Sequence, residues 1–343
     1  MTRSKLHAAL CAVLVAWLFV CTLSAQAQTP QPTPGEDKQV SDEAWSALFF
    51  GDFAELERLH AEYQRDSPRT ASGVAKLSLF RAGLDRVFDG PRGAKDSYFQ
   101  QMDALTRRWA DAHPESALAH SLHAEALKAH AWSYRGTGFA KSVPPEAWRD
   151  FESYIKQSIE YLALHIQVAQ RSSSTHVTLI QLGLAASWDK DRLWAVAEAG
   201  LGRNPEDDGL YSALLNGLLP KWGGSAVLVD RLINDVVRRT QARYGEIFYA
   251  RMYTWASNRE FEHRLFVDSG ASWSRMKVGL EQLVVRYPTA ENHNTFARFA
   301  CLARDKPALL DMLDKVGNRP LLEDWGRNAS RTYETCKRWA AEQ

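Results

Sequence analysis

Charge of one sign is what this sequence lacks: across 343 residues, 42 Lys and Arg stand against 41 Asp and Glu. Nucleic-acid binders need a basic surface to displace counterions from phosphate, so nucleic acid is set aside as a partner, a local basic patch excepted. Cysteine is scarce, four in all, which excludes a small disulfide-framed fold. The longest apolar run, residues 8–20, stops well short of the roughly 20 residues that cross a bilayer. Alternation of apolar and polar residues is almost missing, which argues against a sheet. Signatures of chemistry are missing too: there is no G-x-x-x-x-G-K-[ST], H-E-x-x-H, G-x-S-x-G or C-x-x-C. No cofactor and no catalytic residue is expected, although groups gathered from distant helices would escape such a scan.

What is present begins with an address. Arg3 and Lys5 precede the apolar run, and "CTLSAQAQ" after it carries an A-x-A site at Ala25 and Ala27. This reads as a secretory signal peptide over residues 1–27, cut after Ala27, and it places the protein in the periplasm or outside the cell. A membrane anchor is disfavoured by length, and a lipoprotein by Val20 before Cys21. Cleavage leaves no span and a chain with near-zero net charge. Residues 28–39, "QTPQPTPGEDKQ", form a proline-rich tether without core-building side chains, so folding is expected from Val40 to the end. The mature chain keeps Cys301 and Cys336. An oxidising compartment permits a disulfide between them, and two buried thiols that never meet is the alternative.

From Val40 onward the pattern is helical. Apolar residues recur at helical spacing over about 41–50, 52–66, 70–88, 96–112, 115–135, 145–171, 175–187, 191–203, 207–219, 226–243, 246–257, 272–286, 290–304, 307–315 and 329–341. Pro68, Pro114, Pro205 and Pro288 each follow a helical stretch. Proline fits a first helical turn and bends the residue before it away from helix, so each marks a hairpin corner. Paired helices at irregular spacing predict an all-α, tetratricopeptide-like superhelix of α-hairpins.

Three interruptions stand out. In "AWSYRGTGFAKSVPPEAW" (residues 131–148), Arg135 and Gly136 suit a helix end, and Pro144, Pro145 and Glu146 a helix start. That explains a crossover but leaves Trp132, Tyr134, Phe139 and Trp148 around one arginine, a set able to hold a carboxylate, a sugar face or a peptide. In "LLPKWGGS" (218–225), Lys221 and Trp222 precede two glycines and a capping Ser225, which is either a tight corner or a place where a partner approaches the backbone. In "GEIFYARMYTW" (245–255), Tyr249, Met252 and Tyr253 share a stripe of core character, and Arg251 and Trp255 share another. An arginine there needs a carboxylate or solvent.

Together with "GDFAELERLHAEY" (51–63), these segments resemble, in order, a bacterial family catalogued as a domain of unknown function, number four thousand and thirty-four. The likeness covers about residues 44–255, with Arg-Gly and Trp-Gly-Gly as its most specific parts, and leaves a C-terminal helical part of about 256–343. It implies a helical, often exported bacterial protein and carries no established activity.

His113, His120, His123 and His130 crowd one segment. His120 and His123, at i and i+3, are weak candidates for a shared metal, and surface histidines without a role are the plainer reading. The resulting expectation is a periplasmic binding or scaffold protein for a peptide, protein or envelope component, with Trp132, Tyr134, Arg135, Lys221, Trp222 and Arg251 as ligand-binding candidates. The alternative is an envelope-acting hydrolase or metal-dependent enzyme whose site is assembled from distant helices.

Overall fold

A computed structural model of the chain describes residues 35–136, 138 and 140–342. The expected signal peptide and its cut lie outside them, as do Phe139 and most of the tether. Among the described residues no strand forms, and α-helices follow one another: α1 (Glu36–Phe50), α2 (Phe53–Asp66), α3 (Lys76–Phe88), α4 (Asp96–Ala112), α5 (Ala117–Arg135), α6 (Pro145–Ala169), α7 (Ser173–Ala185) and α8 (Lys190–Leu201). Then come α9 (Asp208–Leu218), α10 (Ala226–Tyr244), α11 (Ile247–Ala256), the short α12 (Leu265–Asp268), α13 (Trp273–Arg286), α14 (Ala290–Leu302), α15 (Lys306–Val316) and α16 (Ala329–Ala341). The fold is all-α. None of these helices is long and apolar enough to cross a membrane.

Local chemistry explains the boundaries. Asp52, Ser116, Asp189, Asp207, Ser225 and Asp305 each accept a backbone N–H of the turn they open, which satisfies donors that a helix start otherwise leaves bare. The four prolines do sit at corners between helices packed on one another, but not inside the first turns as expected. After Pro114 the capping residue is Ser116, and after Pro205 it is Asp207, so the side-chain cap sets the start and proline merely ends the preceding path. Helix α1 also begins earlier than expected, at Glu36. Two acidic residues in its first turn hold it to a distant loop: Glu36 accepts the Ala71 N–H at 2.8 Å and pairs with Lys76 at 2.8 Å, and Asp37 accepts the Ser72 hydroxyl at 2.7 Å.

The apolar faces gather in two core clusters. One runs from Val40 through Ala169 to Leu182, the other from Val177 to Ala340, and α7 contributes to both. Position 255 falls within the second cluster, whose members include Tyr253, Phe261, Met276 and Phe296. The close packing of α3 on α1 requires glycine at position 83, where a Cβ would lie 2.2 Å from the Ser41 carbonyl oxygen.

The loop of residues 67–75 clips remote parts together. Arg69 forks onto Asp208 at the start of α9 (2.8 and 2.9 Å) and donates to the Tyr244 hydroxyl (3.0 Å). The Ser72 carbonyl accepts from Arg251 of α11 (3.0 Å) and Asn292 of α14 (3.1 Å). Beside it, Arg81 forks onto Asp207 at 2.6 Å through both nitrogens.

Candidate functional site

The segment 131–148 forms a lock built from its own residues. The Arg135 guanidinium lies 5.0 Å from the Trp132 ring and 5.2 Å from the Trp148 ring, and Nη1 donates to the carbonyls of Gly136 (2.9 Å) and Gly138 (3.1 Å). Phe151 of α6 meets both indoles edge-on. Tyr134 turns away from this group, stacks on His130 and Tyr154, and donates its hydroxyl to Asp96. Arg135, expected to hold a ligand anion, grips its own loop instead, because the crossover carbonyls are the nearest acceptors.

The second interruption is a corner that requires its glycines. Gly223 has φ 73°, and a Cβ on Gly224 would lie 1.9 Å from the Leu218 carbonyl oxygen. Lys221 donates to the Arg259 carbonyl (2.7 Å), and Lys190 to the Trp222 carbonyl (2.6 Å). Trp222 stays half-buried, and its indole N–H finds no hydrogen-bond partner among the described residues. Arg251 is a different matter from the sequence expectation. It is buried, with Ser72 and the Asp208 carboxylate (3.9 Å) as its partners, so the structure places it in the core and not at a surface. Tyr249, Met252 and Tyr253 are buried as their stripe predicts.

Two of the six candidates come together. Trp132 and Trp222 line one cavity of about 580 Å³. Four residues of that cavity, Asp85 of α3, Glu125 of α5, Gln181 of α7 and Asn216 of α9, also line a neighbouring cavity of about 480 Å³. The two are therefore one groove floored by alternate helices. Trp255 and Arg259 border its far part. Tyr134, Arg135, Lys221 and Arg251 border neither cavity.

The groove carries unmatched charge. Asp85 is exposed on the groove wall with no hydrogen-bond or ion-pair partner among the described residues, and the partial loss of hydration that the concave wall imposes, followed by the nearby Glu125 charge, raises its pKa above the usual carboxylate range. Asp89, one turn on, is raised by loss of hydration as well. Glu125 is better served: the Thr178 hydroxyl donates to it at 2.7 Å and Lys128 pairs with it, while Lys128 also donates to Gln181. Also lining the groove, the Arg259 guanidinium donates to the Ser212 hydroxyl at 2.8 Å but has no carboxylate at ion-pair distance among the described residues, and loss of hydration lowers its pKa.

Three of the four histidines serve the interior, and His113 is exposed. His120 has both ring nitrogens engaged, Nδ1 with the Tyr161 hydroxyl (2.7 Å) and Nε2 with the Pro114 carbonyl (2.9 Å). His123 meets the Thr106 hydroxyl at 3.0 Å, and burial first, then the Arg107 charge, pushes its pKa down to about 4. Among the described residues no group of three or more His, Cys, Asp or Glu is arranged to hold a metal, so the idea of a shared site at His120 and His123 is withdrawn. His130 is wholly buried between Asp96 (2.8 Å) and Asp103 (2.5 Å). Cys301 and Cys336 form a disulfide that joins α14 to α16.

Sequence reasoning missed Asp85, Asp89, Glu125 and Arg259. A signal existed for the first three: Asp85 and Asp89 share a helix face at i and i+4, and Glu125 interrupts a helix of Ala, Leu and His. Nothing in "ASNREF" marks Arg259, because its exposure to the groove comes from the turn Ser257–Phe261 that follows α11. No protein family, curated protein or solved structure matches the chain.

Proposed function

We propose that this is an exported α-hairpin protein, related to the bacterial family it resembles, that seats a peptide segment of the cell envelope in the groove across α3, α5, α7 and α9. One observation carries the reading: the indoles of two separate helix breaks, Trp132 and Trp222, border a single groove in which neither Asp85 nor Arg259 has an ion-pair partner among the described residues. Unpaired charges on a concave wall are what an extended polar ligand satisfies, and aromatic side chains supply contact area at low entropic cost. A basic side chain suits Asp85 and Asp89, and a carboxylate suits Arg259. The Cys301–Cys336 bond supports export, since reducing compartments disfavour such bonds. Asp85, Asp89 and Glu125 in one groove also bear on the hydrolase alternative. Glu125 is held by Lys128 and Thr178, and the two that are left, Asp85 and Asp89, stand one turn apart on the same helix, where one basic ligand group can use both; this favours binding.

Selection from a random peptide library on the immobilised protein tests the proposal. The wild type is expected to enrich sequences containing Lys or Arg, and an Asp85→Asn, Asp89→Asn double variant to lose that enrichment, with Trp222→Ala lowering the yield. Equal enrichment by wild type and double variant, or none by either, removes the groove from consideration.

The pH response has a definite sign. Because the Asp85 pKa is raised, lowering the pH protonates this carboxyl before an ordinary one and removes the negative charge a basic ligand needs. Affinity for a selected basic peptide is therefore expected to fall roughly tenfold from about pH 8 to about pH 5, about 1.4 kcal/mol. An affinity that is flat or that rises over this interval contradicts the seat assigned to Asp85.

A further inference from the structure

We infer that the C-terminal part contains a second, separate site: a pocket beside the disulfide that binds an oxyanion, a phosphate or carboxylate group, through Arg298 and Arg304.

The pocket, about 500 Å³, is bordered by α14, the turn before α16, α16 itself, and Glu262 and His263 of the segment that precedes α12. Arg298 is the central group. It is only 7% exposed, stacks on Phe299 at 4.8 Å, and borders the pocket. Its Nη1 donates to the Asn258 side chain (2.6 Å) and the Asp324 carbonyl (3.4 Å), and Nη2 donates to the Ser257 hydroxyl (3.1 Å). These partners are neutral. They satisfy donors but do not neutralise the charge, and among the described residues no carboxylate lies within ion-pair distance. Asp324 and Glu262 are the nearest acids, and neither prevents burial from pushing the Arg298 pKa down to about 10. A buried cation without a counterion is costly, and such groups are normally paired.

The neighbours make the imbalance greater. Arg304 borders the same pocket, lies 5.0 Å from the Trp339 ring, and has no hydrogen bond or ion pair to an acid among the described residues. Arg327 is matched by Glu262 at 2.8 Å. Two unmatched guanidinium groups thus converge on a pocket with an indole wall. Arginine's planar fork complements the two or three oxygens of a carboxylate or phosphate, and such a group would be the missing counterion.

The test uses the full exported chain with its disulfide intact. Thermal unfolding is followed while inorganic phosphate or citrate is titrated in, with sodium chloride at matched ionic strength as the control. A ligand that binds only the folded state raises the midpoint in a saturable way. The expected result is a saturable rise with at least one of the two anions beyond the salt control, with apparent affinity weakened roughly fivefold or more in Arg304→Gln. Arg304 is exposed, so this variant leaves the core intact. Arg298→Lys, which keeps the charge but loses the fork, is expected to weaken binding too, and Asp85→Asn in the groove is expected to leave it unchanged. Absence of a saturable rise with both anions, or the same affinity in Arg304→Gln, overturns the assignment. The groove reading fails or survives separately, on the peptide selection.

Discussion

Replacing Asp208 by alanine is expected to lower the stability of this protein by about 3–5 kcal/mol, the cost of removing one partner from a buried ion pair. Asp208 is 2% exposed and accepts both Arg69 nitrogens, at 2.8 and 2.9 Å. Arg251, also buried, approaches it at 3.9 Å. The two arginines respond differently to the same carboxylate. Burial tends to lower both pKa values; for Arg69 the forked pair outweighs burial and raises it, whereas for Arg251 the longer contact does not, and it stays lowered. Alanine would leave both cations in the interior with only neutral acceptors. The damage would also spread along the chain, because Arg69 belongs to the loop that binds α1, α9, α11 and α14 together. Urea unfolding followed by circular dichroism measures the change, and thermal unfolding should show a midpoint drop of roughly 5–10 °C. Adding Arg69→Met to Asp208→Ala should recover part of the loss by removing one orphaned charge. A loss under about 1 kcal/mol in the single variant would mean that water reaches this network and that its burial is not what holds the loop.

The helices were legible in the sequence and this network was not, for a physical reason. Helical periodicity, Ser and Asp caps, and proline corners act within a few residues, so stretches such as 96–112 and 329–341 can be read from their own composition, and α4 and α16 follow them closely. The loop of residues 67–75 reads locally as the start of a helix. It is held open by Asp208, Arg251 and Asn292, partners more than a hundred residues away that no local pattern announces. The site follows the same division. Trp132 and Trp222 could be singled out because each stands at a visible break, and the groove they border is where two breaks meet in space. Arg135 and Arg251 looked similar in the sequence, as arginines amid aromatics. One became a loop clamp and the other a core cation, because which acceptor lies nearest is decided by tertiary packing. Asp85 and Arg259 became candidates only once the groove showed them without ion-pair partners among the described residues.

Opening the Cys301–Cys336 bond is expected to cost about 3–4 kcal/mol, the chain-entropy figure for a closed loop of this size. The two cysteines are 35 residues apart, and their loop encloses α15 and the turn that carries Trp325. Without the bond α16 still has means of docking: Tyr333 is buried and meets Trp325 at 5.0 Å, and the Trp325 N–H donates to the Asn294 side chain at 2.8 Å. The bond therefore restricts the unfolded chain more than it supplies contacts to the folded one. The expected signature follows from that. A Cys301→Ser, Cys336→Ser double variant should keep native helix content at low urea, yet unfold at a clearly lower urea midpoint than the oxidised wild type. Hydrogen exchange should show the greatest loss of protection in α15 and α16, where opening no longer meets a closed loop. Reduced wild type should behave like the double variant. If the oxidised protein and the double variant unfold within about 1 kcal/mol of each other, the bond adds little restriction beyond the packing of α16, and Tyr333 with its neighbours becomes the group that holds the C-terminus.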